Sequence, residues 1–216
     1  MKTTLYLASA SPRRHDLLNQ IGVPHTVLNV PSPPGEDEPR FENESPLKYV
    51  QRTAHDKALR AQAWLQKSEE FEQVRKRNMT DKPIAILTAD TTVALEDRVF
   101  GKPANKDDAA QILRQLSDKT HTVYTALVLS VMKPARDKGE IEWDQAFALS
   151  TTQVSFANLT EKDISEYIVS GEPFGKAGAY GIQGHAAKFI CHIAGSYTGV
   201  MGLPLFETST LLRKLA

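Results

Sequence analysis

The stretch 84-IAILTADTTVAL-95 decides the architecture. Its β-branched and aliphatic residues run almost without polar relief, the pattern of a strand buried on both faces in the interior of a sheet. Asp90 interrupts it. An ionised carboxylate in such a place is costly unless it is paired, hydrogen-bonded or bound to a metal. Two readings follow. Either neighbouring Thr hydroxyls and backbone N–H groups satisfy Asp90 as a structural group, or it is a catalytic base or metal ligand.

Working outward, Glu96-Asp97-Arg98 reads as a turn and 107–116 as a helix with Ala110, Leu113 and Leu116 on one side. A second buried strand, 121-HTVYTALVLSVM-132, is followed by a polar turn and a returning strand over 141–156, which makes a long hairpin. Further strands are predicted over 3–8, 26–30 and 188–193. Ser11-Pro12 opens a helix that runs to Ile21, with Gly22 as its stop. Ser45-Pro46 opens a longer one to Gln66, with Leu47, Val50, Ala54, Ala58 and Ala61 on one stripe. Thr160 with Asp163 predicts a capped helix, and a last helix starts at Pro204. The charged segment beginning at Lys67 extends the second helix or forms a solvated excursion. There is no internal repeat and no low-complexity linker. Irregular alternation of strands and helices predicts an α/β fold, a mixed sheet with helices on its faces.

Composition narrows the function. At 216 residues, 41% of them hydrophobic, the chain can bury a sizeable core as one domain. Lys and Arg number 26 against 26 Asp and Glu, so the basic excess of a general nucleic-acid binder is absent. The single cysteine, Cys191, allows no internal disulfide and reads as packed within Phe189-Ile190-Cys191. The start of the chain is too quickly polar for a signal peptide, and no apolar run approaches a membrane span, so the expected location is the cytoplasm.

Several short stretches can carry chemistry. In 7-LASASPRRHDLL-18, Arg13 and Arg14 occupy the first turn of a helix, where the macrodipole already presents positive charge. Both are simply exposed, or an anion belongs there, held by free N–H groups and planar guanidinium donors. Lys57 and Lys102 are ordinary solvated lysines or further cations of that site. In the proline-rich loop 30-VPSPPGEDEPRFENESP-46, Glu36, Asp37 and Glu38 either form a solvated acidic turn or offer oxygen ligands to a divalent cation. The loop 176-KAGAYGIQGHAAK-188 is a tight connection or a place where backbone and Gln183 approach a planar ligand. 195-GSYTGVMGLP-204 reads as a loop into the final helix. The histidines lack zinc spacing, and neither common nucleotide-binding glycine motif is present.

Taken in order, LASASPRR, YVQRTAHDKA, TADTTVALEDRVFGKP, SDKTHTVYTALVL, TEKDISEYI, KAGAYGIQG and GSYTGVMGLPLFET resemble the Maf family of nucleoside triphosphate pyrophosphatases. The resemblance covers nearly the whole chain. It implies an elongated mixed sheet with flanking helices, like that of the inosine triphosphate pyrophosphatases, in a single domain over 1–216 with two lobes around one central cleft. It implies cleavage of a nucleoside triphosphate between its α and β phosphates, with a divalent cation such as Mg²⁺ or Mn²⁺ as cofactor. Asp90 matches the catalytic aspartate. Ser9, Arg13, Arg14, Lys57 and Lys102 match substrate- and phosphate-handling positions. Arg13, Thr91 and Gln183 match positions tied to substrate choice. Asp90 and Glu36 are the implied metal ligands. The AYGIQG segment is similar to the dTTP and UTP branch; alternatives are the 7-methyl-GTP branch, or a nucleotide-responsive regulator of septum formation. The implied partners are the triphosphate substrate and a second copy in a homodimer, with neither nucleic acid nor membrane. Gly175 departs from the close pattern, which has Asp before Lys-Ala-Gly.

Overall fold

A computed structural model describes residues 3–32, 38–68, 71, 83–133 and 141–215. The apolar stretch that Asp90 interrupts is β3 (Ile84–Leu95), preceded in the chain by β1 (Thr4–Leu7), α1 (Pro12–Gln20), β2 (Thr26–Val27) and α2 (Pro46–Gln66). After it come β4 (Arg98–Phe100), α3 (Lys106–Leu116), β5 (Thr120–Met132), β6 (Trp143–Phe156) and α4 (Glu161–Val169). β7 (Ile190–Ala194), α5 (Tyr197–Met201) and α6 (Leu205–Leu212) complete the chain, with short 3₁₀ turns at Ala177–Ala179, His185–Phe189 and Arg213–Leu215. The strands form one mixed seven-stranded sheet in the order β2-β1-β3-β5-β6-β7, with β4 also on β3.

β3 explains where the cleft lies. One of its edges pairs antiparallel with β5 from Ala85↔Val131 to Ala94↔Thr122. The other edge is shared. β1 runs parallel to it only over Ile84–Leu87, and β4 returns antiparallel only over Val93–Leu95. Residues 88–92 therefore have no strand beside them on that edge among the described residues. β1 ends with the Ala8 N–H on the Leu87 carbonyl (3.0 Å), and the chain then turns away into α1. Asp90 stands in the middle of this gap. A crevice beyond the carboxyl end of a parallel strand is where open α/β sheets take their ligands.

The faces are covered as the patterns require. Ala54, Ala58 and Ala61 are fully buried, and these small residues let α2 lie close on the sheet, Ala54 and Ala58 against Ala126 and Val128 and Ala61 against Tyr6, Ile84 and Ile86. Leu47, expected on that stripe, is instead 37% exposed, because the buried face of the first turn belongs to Pro46 and Val50. On the opposite face, α1 and α6 pack Leu17, Leu18, Leu211 and Leu212 onto Leu5, Leu7 and Leu87. α3 and α4 pack Leu113, Leu116, Ile164 and Tyr167 around Val93, Val123 and Phe156. Phe71 is buried with Tyr6, Leu65 and Ile84; most of the charged segment around it lies outside the described residues.

Local signals fare unevenly. Thr160 and Asp163 form the reciprocal capping box, and Gly22 takes φ +65° just past α1. Ile21 is 38% exposed as the cap of α1 rather than a core residue, and the strand expected over 26–30 shrinks to two residues. The segment 195–204 is not simply a loop but contains α5. Cys191 is exposed, not packed. Among the described residues β7 pairs with β6 alone, and on this edge strand Cys191 and His192 are both exposed; Cys191 Sγ reaches the Ser155 carbonyl (3.4 Å). No helix among the described residues is long and apolar enough to cross a membrane.

His121 gives the fold a pH dependence. Its ring is buried between Tyr180 and Phe156, with Nε2 2.8 Å from the Tyr180 hydroxyl and Nδ1 lacking a partner among the described residues. Burial lowers its pKa from 6.5 to about 4. Between these values the unfolded chain binds a proton that the folded chain does not, so stability falls as pH drops through that window. The shift corresponds to roughly 3 kcal/mol lost by pH 4. Urea unfolding at pH 7 and pH 4 should show that loss reduced in His121→Phe; an unchanged pH slope would contradict it.

Candidate functional site

The gap in β3 opens into a cleft of about 380 Å³, bordered by the β1–α1 turn, α2, the glycine-rich loop and the end of α5. Ser9, Arg13, Arg14, Lys57, Asp90, Thr91, Lys102 and Gln183 all line it, although the first and last are 174 positions apart in the chain.

Asp90 is 7% exposed and both of its oxygens are engaged. Oδ1 accepts from Lys57 Nζ at 2.5 Å, and Oδ2 accepts from the hydroxyls of Thr53 (2.8 Å) and Thr92 (3.4 Å). Thr53 and Lys57 are one helical turn apart on α2, so the helix that covers the sheet also delivers both groups to one carboxylate. Burial alone would push the carboxyl up. Lys57, the Arg14 charge and the Thr53 hydroxyl outweigh burial and hold it below its ordinary value. Asp90 is thus ionised at neutral pH.

Lys57 Nζ is shared with Glu38 (2.9 Å), and Arg60 reaches the same Glu38 oxygen at 3.3 Å. The Tyr49 hydroxyl donates to the Glu38 carbonyl, and Arg52 donates to the Pro39 carbonyl while gripping Glu44 through two nitrogens. The end of the acidic loop is therefore clamped along α2, with the Glu38 carboxylate on Lys57 and Arg60, two residues that line the cleft. Glu36, expected as a metal ligand, lies outside the described residues. No cluster of three or more His, Cys, Asp or Glu suited to a metal occurs among the described residues. The chain does offer two carboxylates, Asp90 and Glu38, on either side of one ammonium. Hard oxygen donors in that number suit a cation that takes its remaining ligands from phosphate and water.

Arg14 ties three parts of the chain together. Nε donates to the Gly202 carbonyl (2.8 Å), Nη1 to Ser9 Oγ (3.2 Å) and Nη2 to Thr91 Oγ1 (3.2 Å). Burial lowers its pKa and Asp90 opposes that; a guanidinium stays charged all the same. Proton accounting fixes the neighbours. The Thr125 hydroxyl donates to the Gly199 carbonyl (2.8 Å), so in the 3.0 Å contact between the two threonines Thr91 is the donor. Thr91 can then only accept from a ligand. Ser9 Oγ already accepts from Arg14 and from the Ser11 N–H (3.2 Å), which leaves its own proton free to donate into the cleft.

Arg13, Lys102 and Gln183 differ from these. None has a hydrogen bond or ion pair to another described residue, although all three line the cleft. Gln183 sits on a loop anchored by Glu172, whose carboxylate accepts from the Tyr167 hydroxyl (2.9 Å) and the His185 N–H (2.8 Å). A Cβ at Gly184 would stand 2.3 Å from that carboxylate, so the close approach requires glycine. Lys176, also in the cleft, donates to the Glu172 carbonyl.

The eight residues read from the sequence are thus brought together. The sequence had no signal for Lys176 beyond its place in the motif, nor for Thr125. Glu38 was visible only as one of three acids in a row; the structure pairs its carboxylate with Lys57 and Arg60.

This is an α/β protein whose binding cleft is a break in one edge of its own central strand, lined by cations around an ion-paired carboxylate. The chain belongs to the Maf-like protein family, whose model matches residues 4–215. It is 52% identical over 211 residues to a dTTP/UTP pyrophosphatase of Bordetella avium, covering 97% of this chain and 94% of that protein. Similar proteins of the same description occur in Ralstonia nicotianae, at 47% over 98% of this chain and 94% of its own, and in Dechloromonas aromatica, at 41% over 98% and 96%.

Proposed function

We propose that the protein hydrolyses dTTP and UTP between the α and β phosphates, releasing the monophosphate and pyrophosphate. The observation that carries this reading is the set of groups in the cleft that have no partner among the described residues: two cations, Arg13 and Lys102, with one amide, Gln183. Cations without protein partners suit a polyanion, and an amide suits the edge of a base. The description shared by relatives at 41–52% identity supports the same substrates.

The residues divide the work as follows. Arg13, Lys102, the Ser9 hydroxyl and the remaining N–H groups of Arg14 hold phosphate oxygens and stabilise charge in the transition state. Asp90, held ionised, orients the attacking water and takes its proton as the anhydride bond breaks. Lys57 lies between Asp90 and Glu38 and can turn to a phosphate oxygen, which frees Asp90 Oδ1. Asp90 and Glu38 are the residues that would hold a divalent cation, whose chemistry is to neutralise phosphate oxygens. Gln183 meets the base, with Thr91 as an acceptor beside it.

The test is product analysis with dTTP, UTP, CTP, GTP and 7-methyl-GTP, with and without divalent cation. Pyrophosphate rather than phosphate should appear, fastest with dTTP and UTP. Preference for 7-methyl-GTP, or no pyrophosphate from any triphosphate, would overturn the reading.

A further inference from the structure

Uracil and thymine present a carbonyl at C4 and an N–H at N3, whereas cytosine presents an amino group at C4 and a bare nitrogen at N3. A carboxamide offers a donor and an acceptor side by side, and rotating it by half a turn exchanges them. Gln183 has no partner among the described residues to fix which end faces the cleft. Gln183 can therefore satisfy either base, and it cannot by itself separate dTTP and UTP from their cytosine counterparts. That separation requires a neighbour that can only donate or only accept.

Lys176 is such a neighbour, because an ammonium has three donors and no acceptor. Its stem crosses the bare α-carbon of Gly181. A Cβ built there would stand 3.0 Å from Lys176 Cε and 3.6 Å from Gln183 Oε1, so the two side chains flank the same point. Glu172 sets both. Its carbonyl takes one Lys176 proton, leaving two for a ligand. Its carboxylate takes the His185 and Ala186 N–H groups just beyond Gln183, and the Tyr167 hydroxyl between them accepts the Gly181 N–H (3.3 Å). Lys176 is thus held at a fixed place relative to Gln183.

We propose that Lys176 is the specificity-determining donor that selects a C4 carbonyl over a C4 amino group, while Gln183 supplies the adaptable half of base recognition. The inference rests on the pyrimidine triphosphate reading above. A site built to donate at one position rejects an analogue that places a second donor there, since both then remain unpaired.

The experiment is kcat/KM for dTTP, UTP, dCTP and CTP in wild type, Lys176→Gln and Lys176→Arg. In Lys176→Gln the preference for dTTP over dCTP should fall at least about 10-fold, more than the rate with dTTP itself falls, since the new amide is as ambiguous as Gln183. Lys176→Arg remains donor-only and should keep the preference. Without any variant, the triphosphate of pyrimidin-2-one riboside, which lacks a C4 substituent, should react more slowly than UTP in wild type. Equal slowing of every substrate in Lys176→Gln would make Lys176 a phosphate ligand and overturn the inference. So would an unchanged preference, or an analogue as fast as UTP. A wild type inactive on all triphosphates would instead overturn the proposed function.

Discussion

Asp90→Asn should reduce kcat for dTTP by about 10²–10³-fold or more while the protein stays folded. The substitution keeps the shape and removes the charge. The neighbours tolerate that loss for identifiable reasons. Lys57 retains Glu38 at 2.9 Å, so no ammonium is stranded. The Thr53 hydroxyl can turn its proton to the Tyr49 carbonyl (3.0 Å) or the Val50 carbonyl (3.2 Å). The stability cost should therefore be about 1 kcal/mol at neutral pH. Acid would narrow even that difference. The Asp90 carboxyl is held below its ordinary value in the folded chain, so the stability it contributes is present above the ordinary carboxylate range and disappears as pH falls through the lowered value. Pyrophosphate release and urea unfolding on the same preparation test both halves. A folded variant with near-wild-type kcat would remove Asp90 from the chemistry.

Asp90 was legible because a strand is a local pattern, and a carboxylate inside an apolar run violates that pattern at one point. Lys57 was legible less directly. It lies among the alanines of α2, and its spacing from Thr53 places the two on one face, yet nothing local said that this face meets β3 opposite residue 90. The gap itself was not legible. It depends on β1 stopping at Leu7 and β4 starting at Arg98, two boundaries that become a cleft only when both strands use the same edge of β3. Glu38 was hidden for a similar reason. In the sequence it is one of three consecutive acids, and its pairing with Lys57 and Arg60 on α2 shows only in the fold. Cys191 was misread because an apolar run implies burial only where a second layer covers it. β7 is an edge strand whose central residues face outward. In each case the missing information lay in how separate elements meet, or fail to meet, rather than in the local pattern.

The two arginines of α1 should separate under substitution, although in the sequence they stand side by side in the same helical turn. Arg13 sits in the first helical turn with no partner among the described residues. Arg13→Ala should weaken triphosphate binding and leave stability unchanged, or raise it by a few tenths of a kcal/mol by relieving repulsion with the helix dipole. Arg14 belongs to the fold as well as the cleft. It spans 188 residues to reach the Gly202 carbonyl, and it also holds Ser9 and, through Thr91 and Thr125, the α5 backbone at Gly199. Truncation leaves these acceptors facing a hole, and a cost of about 2–3 kcal/mol is expected from hydrogen bonds to a charged donor. In a chain of this size that is roughly 5–10 °C in Tm. Arg14→Lys should recover little of it, because an ammonium cannot direct donors along the three bearings that a planar guanidinium supplies. Activity should fall in both alanine variants, but only in Arg14→Ala should the loss come with a lower Tm. Thermal melts of the three variants beside steady-state kinetics decide the matter. If Arg14→Ala melts with wild type, its contacts contribute nothing net to the fold, and Arg14 serves the phosphates alone.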